Sequence, residues 1–270
     1  MTDHTSVGKT ATYYDNETVA RFYQELWGGA DIHIGLYQTG NETIAQASEA
    51  MTRRLLRLAG ATAGQCVLDI ACGYGGTLRI LAEIGCRASG IDISKVCVAR
   101  ARQLNASAGL GDKIDVAEGD YHDIDRVSGS LDLVICQEAI IHSMDRPAVF
   151  REVFRILRPS GVFAISDIVP AETGDSEIAA TAFSRLGARA DATPKRYRNM
   201  AESAGFGVDY FEERPTDIRT HYDKLAEELE RPELQHDPKM TAIRKSISTW
   251  QRALEGGHIT WISAVGRKPS

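Results

Sequence analysis

The sequence lacks the long apolar runs and the concentrated positive charge that two large classes of protein need. Among its 270 residues no apolar run approaches the roughly 20 residues of a membrane-spanning helix. The 31 Lys and Arg residues are outnumbered by 37 Asp and Glu residues, which gives a formal net charge of −6. No block of Lys and Arg forms a basic stripe for nucleic acid. We therefore expect neither a membrane nor a nucleic acid as partner, and a small-molecule substrate instead.

Cysteine is sparse and forms no recognisable site. The sequence has no Cys-x-x-Cys pair and no histidine at the spacing of a zinc site, so no metal centre is expected. Most of the cysteines lie on or beside apolar, strand-like segments, which predicts buried reduced thiols that pack as small hydrophobic side chains. The five are Cys66, Cys72, Cys86, Cys97 and Cys136.

The N-terminus is polar from Met1 to Lys9 and has no apolar core of a signal peptide. Together with the lack of apolar runs, this predicts a cytoplasmic protein. A chain of this length can form one large domain or one domain with a small appendage. The sequence leaves the formation of homo-oligomers open.

Three zones follow one another along the chain without repeats. Residues 1–60 hold a cluster of aromatic residues and then a helical pattern of apolar residues. Residues 61–170 alternate short apolar strands with helical segments, which predicts parallel βαβ units in an α/β, doubly wound sheet. The strands predicted in this zone are residues 66–71, 87–93, 114–118, 131–136 and 162–167.

The last crossover helix of the middle zone has the clearest end signals. Asp145 or Ser143 can cap it, and Pro147 suits its first turn. Pro159 and Gly161 follow its predicted end.

Residues 171–270 form a third zone of cap helices and closing antiparallel strands. Helical segments are predicted over residues 179–187, 194–204, 216–230 and 239–254, and strands over 208–211 and 259–265. Two helices inserted between the last two strands would cap one edge of the sheet.

The glycine-rich turn in VLDIACGYGGTL, residues 67–78, marks a ligand site after the first strand. Ligands of open parallel sheets bind at the carboxyl ends of the strands. A phosphate-binding P-loop is excluded because no lysine follows Gly76. A dinucleotide site is disfavoured because the third glycine of its fingerprint would fall on Leu78.

The same turn resembles the Asp-x-Gly-x-Gly-x-Gly loop of class I S-adenosylmethionine-dependent methyltransferases. Asp69, Gly73 and Gly75 match it, and Ala71 stands in place of its first glycine. The resemblance implies a Rossmann-like, seven-stranded, mostly parallel sheet and S-adenosylmethionine as the cofactor. It also implies that the loop contacts the cofactor through its backbone, with Asp69 near the amino-acid portion.

Later strand ends agree with this resemblance. Asp92 and Ile93, in GIDIS after the second strand, match the position whose acidic side chain binds the ribose hydroxyls. Asp120 and Tyr121, in EGDYHD, match the residues at the adenine ring. Gln137, at the end of the fourth strand, completes the implied cofactor set.

The segment ATYYDNETVARFYQELWGGADIHIGLY, residues 11–37, looks like the start of the sarcosine/dimethylglycine N-methyltransferases of glycine betaine synthesis. The resemblance returns in THYDKLAEELE, residues 220–230. It implies N-methylation of a small amine, with Tyr23, Trp27 and Tyr37 at the substrate. Ring faces can stabilise the cationic sulfur and nitrogen, by about 0.5–2 kcal/mol each. Trp27 and Tyr37 could equally be packing residues.

Polar groups for the substrate are fewer. His142 and His33 are candidate general bases, since the attacking amine must be neutral. Glu138 is a candidate carboxylate beside the substrate, and Arg185 and Arg189 are candidates to bind its carboxylate through their planar forks. Four further histidines show no pairing and are predicted to lie on the surface: His122, His221, His236 and His258.

Three alternatives remain at this point. The first is a natural-product methyltransferase acting on carbon or oxygen, with Glu138 near a carbocation. The second is a nicotinamide-dependent oxidoreductase on the same kind of sheet, and the third is a protein that only binds the cofactor. Methylation of nucleobases is disfavoured, because Gln137-Glu138-Ala139-Ile140 stands where those enzymes carry Asn/Asp-Pro-Pro-Tyr.

Overall fold

A computed structural model describes residues 10–270, apart from the side chain of Arg185. Residues 1–9, the first part of the predicted N-terminal segment, lie outside the described range. The described chain contains a seven-stranded sheet with the order β3-β2-β1-β4-β5-β7-β6. Its strands are β1 Cys66–Ile70, β2 Arg87–Asp92, β3 Asp115–Glu118, β4 Leu131–Gln137, β5 Leu157–Pro170, β6 Gly207–Glu213 and β7 Ile259–Arg267.

The sheet is mostly parallel, as the alternation of strands and helices predicts. Strands β1 to β5 pair in parallel, whereas β7 runs antiparallel to both of its neighbours, β5 and β6. The fold-class prediction is therefore confirmed. The fifth strand is longer than predicted at both ends: it begins at Leu157, which pairs with Leu131 of β4, and it continues past residue 167 along β7 to Pro170.

Helices cover both faces of the sheet, and successive strand residues alternate between two cores because side chains of a strand point to opposite faces. In β4, Leu133 and Ile135 belong to one core, and Val134 and Cys136 to the other. The helices are α1 Glu17–Glu25, α2 Ile44–Ala59, α3 Gly76–Ile84, α4 Lys95–Ser107, α5 Arg146–Ile156, α6 Ser176–Phe183, α7 Pro194–Ser203, α8 Pro215–Leu229, α9 Pro232–Gln235 and α10 Thr241–Glu255.

Helix α5 begins as its sequence predicts. Asp145 is its N-cap and accepts a hydrogen bond from the N–H of Ala148, and Pro147 lies in the first turn. A single 3₁₀ turn, Ile140–His142, connects β4 to this helix. The residues just after β4 are therefore held between a buried strand and a capped helix.

The helices α8, α9 and α10 lie between β6 and β7 in the chain, so the predicted insertion is present. Helix α10 packs against α8 and α6 through stacked rings: Trp250 lies 5.3 Å from Phe183 and 5.2 Å from Tyr222 between ring centroids. All five cysteines are free thiols, and Cys66 is the one that is only partly buried. Within residues 10–270 no helix is both long and apolar enough to cross a membrane.

Candidate active site

One pocket lies at the carboxyl ends of the strands, where ligands bind in open parallel sheets. Its walls come from residues that follow β1, β2, β3 and β4, together with the N-terminal segment. The structure thus brings most of the predicted cofactor residues and two of the predicted substrate or catalytic residues into one place. The predicted residues that line it are Ala71, Asp92, Ile93, Asp120, Tyr121, Gln137, Glu138 and His142.

The glycine-rich turn has the left-handed backbone that its sequence predicts. Ala71, Gly73 and Gly75 have φ values of 65°, 52° and 76°, a region that glycine occupies without steric cost. Gly75 is the N-cap of α3. Asp69 lies one residue before the end of β1, is 4% exposed and is not part of the pocket lining.

Asp92 connects the second strand to this turn. Its Oδ2 accepts a hydrogen bond from the N–H of Gly73 at 2.9 Å, and its Oδ1 accepts one from the N–H of Ser94 at 2.8 Å. Burial raises the pKa of Asp92 to about 6, although the two N–H donors act in the opposite direction. The carboxylate is fixed in orientation and lines the pocket.

Asp120 is held by a histidine that sequence reasoning placed on the surface. The carboxylate accepts hydrogen bonds from the N–H of His122 at 2.9 Å and from its Nδ1 at 2.7 Å. The Nε2 of the same ring lies 2.8 Å from the Ser143 hydroxyl. The surface prediction for His122 is therefore wrong, because Asp120 and Ser143 bind both ring nitrogens and the side chain is 6% exposed.

Gln137 carries an unused donor at the end of β4. Its Oε1 accepts a hydrogen bond from the hydroxyl of Thr77 at 3.2 Å. Its Nε2 is buried and has no acceptor among the described residues. A buried donor without a partner costs about 1–3 kcal/mol, so a ligand oxygen at this position would be stabilising.

Residues 31–37 cover the glycine-rich turn. A β-carbon added to Gly73 would lie only 2.8 Å from Cδ1 of Ile32. Asp31 lies even closer to Gly76, where a β-carbon would be 1.8 Å from the carboxylate oxygen Oδ1. Both glycines are therefore needed for close approach of the covering segment, and Gly73 and Gly75 do not line the pocket.

Glu138 binds the covering segment to the sheet. It has a φ of 48°, unusual for a residue with a side chain, and is 9% exposed. Its Oε2 accepts a hydrogen bond from the N–H of Ile34 at 2.7 Å, and its Oε1 accepts one from the indole N–H of Trp261 at 2.8 Å. Burial raises the pKa of Glu138.

His33 lies in a buried cluster of acidic groups. Its Nε2 is 2.9 Å from the Thr52 hydroxyl and 3.4 Å from Asp31 Oδ1. Burial opposes a charge on the ring, but Asp31 and Glu138 outweigh it and raise the pKa of His33 to about 9. Burial also raises the pKa of Asp69 to about 8, with His33 acting in the opposite direction. The contact with Asp31 favours the protonated ring, and His33 does not line the pocket, so it is the weaker of the two candidate bases.

His142 faces an aromatic wall. Its Nε2 lies 3.1 Å from the hydroxyl of Tyr14, which also lines the pocket. The Tyr14 ring stacks on Tyr23 at 5.8 Å, and Tyr23 packs against Trp27 at 5.2 Å. Tyr23 and Trp27 thus lie behind Tyr14 and not in the pocket lining. The indole N–H of Trp27 donates a hydrogen bond to the carbonyl of His33 at 2.9 Å.

Tyr37 also lies outside the pocket lining. Its hydroxyl is 3.0 Å from Nδ1 of His221. His221 is fully buried in α8, and its Nδ1 accepts a hydrogen bond from the N–H of Gly35 at 3.2 Å. Burial lowers its pKa to about 3. The surface prediction for His221 is wrong. Its helical spacing from Ile218 and Leu225, both buried, was the signal that could have identified it.

Of the two predicted arginines, Arg189 is not brought to the pocket. Arg185 lies in the 3₁₀ turn Ser184–Leu186, and its side chain is outside the described part of the structure. Arg189 lines a different cleft and donates a hydrogen bond to the carbonyl of Met144 at 2.8 Å. Its assignment to the substrate carboxylate is not supported, because backbone and Asp191 contacts hold it at that cleft.

The free volume of the pocket is about 60 Å³, whereas small-molecule sites usually measure about 300–1,000 Å³. Tyr14 and Ile32 of the N-terminal segment form part of its wall. The N-terminal segment therefore narrows the pocket.

Comparison with known proteins identifies relatives that extend over nearly the whole chain. Residues 68–165 match a family model described as a methyltransferase domain. The dimethylglycine N-methyltransferase of Parasynechococcus marenigrum (strain WH8102) is 35% identical over 266 residues, which cover 96% of this chain and 95% of that protein.

Two solved structures show the same fold. One, from Galdieria sulphuraria and provisionally named a sarcosine dimethylglycine methyltransferase, has a TM-score of 0.87 and 30% identity, and the match covers 94% of this chain and 99% of that chain. The other is a Haemonchus contortus phosphoethanolamine N-methyltransferase 2 in complex with S-adenosyl-L-methionine, with a TM-score of 0.82 and 19% identity. That match covers 97% of this chain and 60% of the other.

The buried acidic cluster predicts a stability that falls with rising pH. The folded state raises the pKa of His33 from 6.5 to about 9 and that of Asp69 from 3.8 to about 8, so it binds more protons than the unfolded chain. The contribution of His33 is complete below pH 6.5 and is lost as the pH rises through 9; Asp69 acts in the same direction. We expect the free energy of unfolding, measured with urea, to fall by about 2 kcal/mol or more between these pH values.

Asp31→Asn should make this decline shallower, because it removes the carboxylate that raises the pKa of His33. Asp209→Asn, which alters an exposed carboxylate paired with Arg267, should leave the decline unchanged. A wild-type protein of constant stability over this range would contradict the charge assignment of the cluster.

Proposed function

Because the chain belongs to the family of S-adenosylmethionine-dependent methyltransferases, we propose that it methylates the amine of sarcosine or dimethylglycine toward glycine betaine. The observation that carries this proposal is the 35% identity to a dimethylglycine N-methyltransferase over 96% of the chain. That likeness includes the N-terminal segment, which contributes Tyr14 and Ile32 to the pocket lining, and it extends over the cap helices. A nicotinamide-dependent oxidoreductase and a protein that only binds the cofactor no longer fit the chain's family.

The polar groups of the pocket suit S-adenosylmethionine, whose bound form supplies an electrophilic methyl group on a sulfonium. The carboxylate of Asp92 would bind the ribose hydroxyls, and that of Asp120 would accept a hydrogen bond from the adenine amino group. The unpartnered Nε2 of Gln137 is a donor for a carboxylate of the amino-acid portion. Ala71 is the residue of the left-handed turn that lines the pocket, so its backbone is available to the cofactor.

The acceptor side of the pocket suits a small amine. Tyr14 and Glu138 both line it. Methyl transfer leaves the positive charge on the product nitrogen, where an aromatic face and a carboxylate stabilise it. Tyr23, Trp27 and Tyr37 would act here by fixing Tyr14 and the covering segment, without touching the substrate themselves.

Attack on the methyl group requires a neutral amine with a free electron pair. His142 is the better candidate to accept the ammonium proton, because it lines the pocket and His33 does not. The electron pair of nitrogen forms the new bond to carbon, and the carbon–sulfur pair remains on sulfur. Alignment of these three atoms supplies much of the rate in such a reaction.

The substrate carboxylate needs a positive partner. No Arg or Lys is found in the pocket lining among the described side chains. Arg185 remains the proposed partner, since its turn follows α6 in the segment between β5 and β6.

Mass spectrometry on purified protein with S-adenosylmethionine and a panel of small amines tests the proposal. We expect sarcosine and dimethylglycine to gain methyl groups with equal release of S-adenosylhomocysteine. N,N-dimethylethanolamine, which has no carboxylate, is the matched control and should react much more slowly. Turnover of a larger alcohol or alkene without turnover of either amino acid would favour a natural-product methyltransferase instead.

Asp92→Asn should raise the dissociation constant of S-adenosylmethionine by at least about tenfold, because a hydrogen bond to a charged group contributes about 1.5–3 kcal/mol. Isothermal titration calorimetry measures this directly. Asp115→Asn, on the exposed side of β3, is the control and should bind as wild type does. Unchanged affinity in Asp92→Asn would remove this residue from the site.

Tyr14→Phe should lower kcat for the methyl acceptor about 3- to 10-fold, the equivalent of one hydrogen bond of about 0.5–1.5 kcal/mol. The reason is the loss of the contact that orients His142, while the ring itself is kept. Steady-state kinetics measure the loss of kcat, and a cofactor titration shows whether cofactor binding is also weaker. The affinity for the cofactor should change little. Tyr13→Phe, which removes the hydroxyl of the neighbouring ring, is the comparison variant.

A further inference from the structure

A second cleft, of about 420 Å³, opens between α5 and α7. Four arginines line it: Arg146 and Arg151 from α5, Arg196 from α7, and Arg189 from the loop before α7. Asn199 and Ser203 of α7 add an amide and a hydroxyl to the same wall. The cleft shares no lining residue with the active-site pocket.

Positive charge exceeds negative charge in this cleft. The carboxylate of Asp191 lies 2.5 Å from Arg146 and 3.3 Å from Arg189. Arg151 lies 4.0 Å from the carboxylate of Asp145. Arg196 donates a hydrogen bond to the backbone carbonyl of Asp191 and has no carboxylate partner among the described residues.

Four guanidinium groups thus share two carboxylates, in a chain whose net charge is −6. Convergence of like charges disfavours the compact state unless an anion joins them. Hydrogen bonds to backbone carbonyls hold three of the four arginine side chains in place. These side chains therefore need little further ordering when a ligand binds. Arg146 donates to the carbonyls of Ile141 and Arg189 at 3.0 and 2.8 Å, and Arg189 donates to that of Met144.

We propose that this arginine cleft binds a small molecule that carries a phosphate or diphosphate group. The planar fork of arginine can pair with two phosphate oxygens at once, which lysine cannot do. Arg151, whose one ionic contact among the described residues is at 4.0 Å, keeps its fork available for such a pair, and Arg146 and Arg189 add positive charge. The volume falls in the range of small-molecule sites, about 300–1,000 Å³. A nucleic acid fits poorly, because a chain with a net charge of −6 repels an extended polyanion.

The cleft is separate from the active site but adjoins it. His142 lines one and Arg146 lines the other, four residues later in the chain. Arg146 donates a hydrogen bond to the carbonyl of Ile141, and Arg189 donates one to that of Met144; these two residues flank His142 in the chain. Anion binding should therefore occur together with cofactor binding and not in competition with it.

Thermal unfolding of the full chain, with pyrophosphate or inorganic phosphate as probes, tests the proposal. Sodium chloride at equal ionic strength is the reference. Pyrophosphate at about ten times its dissociation constant should raise Tm by about 3 °C over this reference. S-Adenosylhomocysteine at saturation should add its own shift and leave the pyrophosphate shift in place.

The double variant Arg151→Gln/Arg196→Gln should bind pyrophosphate at least about tenfold more weakly. Both side chains are exposed, so the fold should persist, and the single variants provide a check if it does not. Arg198→Gln is the matched control on α7: this arginine pairs with Glu202 and lies over the Phe211 ring, outside the cleft. It should keep the wild-type shift.

Three results would overturn the proposal. No shift beyond that of chloride with either probe would show that the cleft binds no phosphate. A shift that persists undiminished in the double variant would show an adventitious ion only, bound elsewhere. A shift abolished by S-adenosylhomocysteine would place the anion in the cofactor pocket.

Discussion

The buried carboxylate of Glu138 is the interaction on which the arrangement of the active site depends. It accepts hydrogen bonds from the N–H of Ile34 and from the indole of Trp261. One side chain thereby joins the end of β4, the covering N-terminal segment and β7. Loss of either donor would leave one buried carboxylate oxygen without that hydrogen bond, which costs about 1–3 kcal/mol. The left-handed backbone of Glu138 is maintained because these partners hold the side chain in place.

The covering segment turns a cofactor-binding sheet edge into an enclosed reaction site. Asp31 and Ile32 lie against the glycines of the turn, and Tyr14 reaches His142 from the opposite side. Closure of this kind excludes water, which would otherwise weaken the electrostatic effect of the acidic groups on a cation. The contacts of His221 with Gly35 and Tyr37 connect this closure to the cap.

The sequence predicted the parts of the site that follow from general rules of parallel sheets. Asp92 and Asp120 end neighbouring strands, so their meeting at one edge required only the strand order, and the caps of α5 followed from Asp145 and Pro147. Contacts between distant segments were not predictable in the same way. The pairing of His221 with Gly35 spans 186 positions of the chain, and no local pattern encodes it. Arg189 was misplaced because a loop arginine can reach several surfaces, and its choice among them depends on carbonyls such as that of Met144.

The position of β7 has a consequence for how this polypeptide acquires its structure during translation. Residues 259–267 leave the ribosome after every other strand of the sheet, yet they insert between β5 and β6. Until then β5 and β6 each present an unpaired edge, and the Glu138 carboxylate lacks its indole donor. Exposed edges of this kind favour aggregation of nascent chains. The sheet should therefore close only once residues 259–267 have emerged, and β5 and β6 remain open to wrong pairing until then.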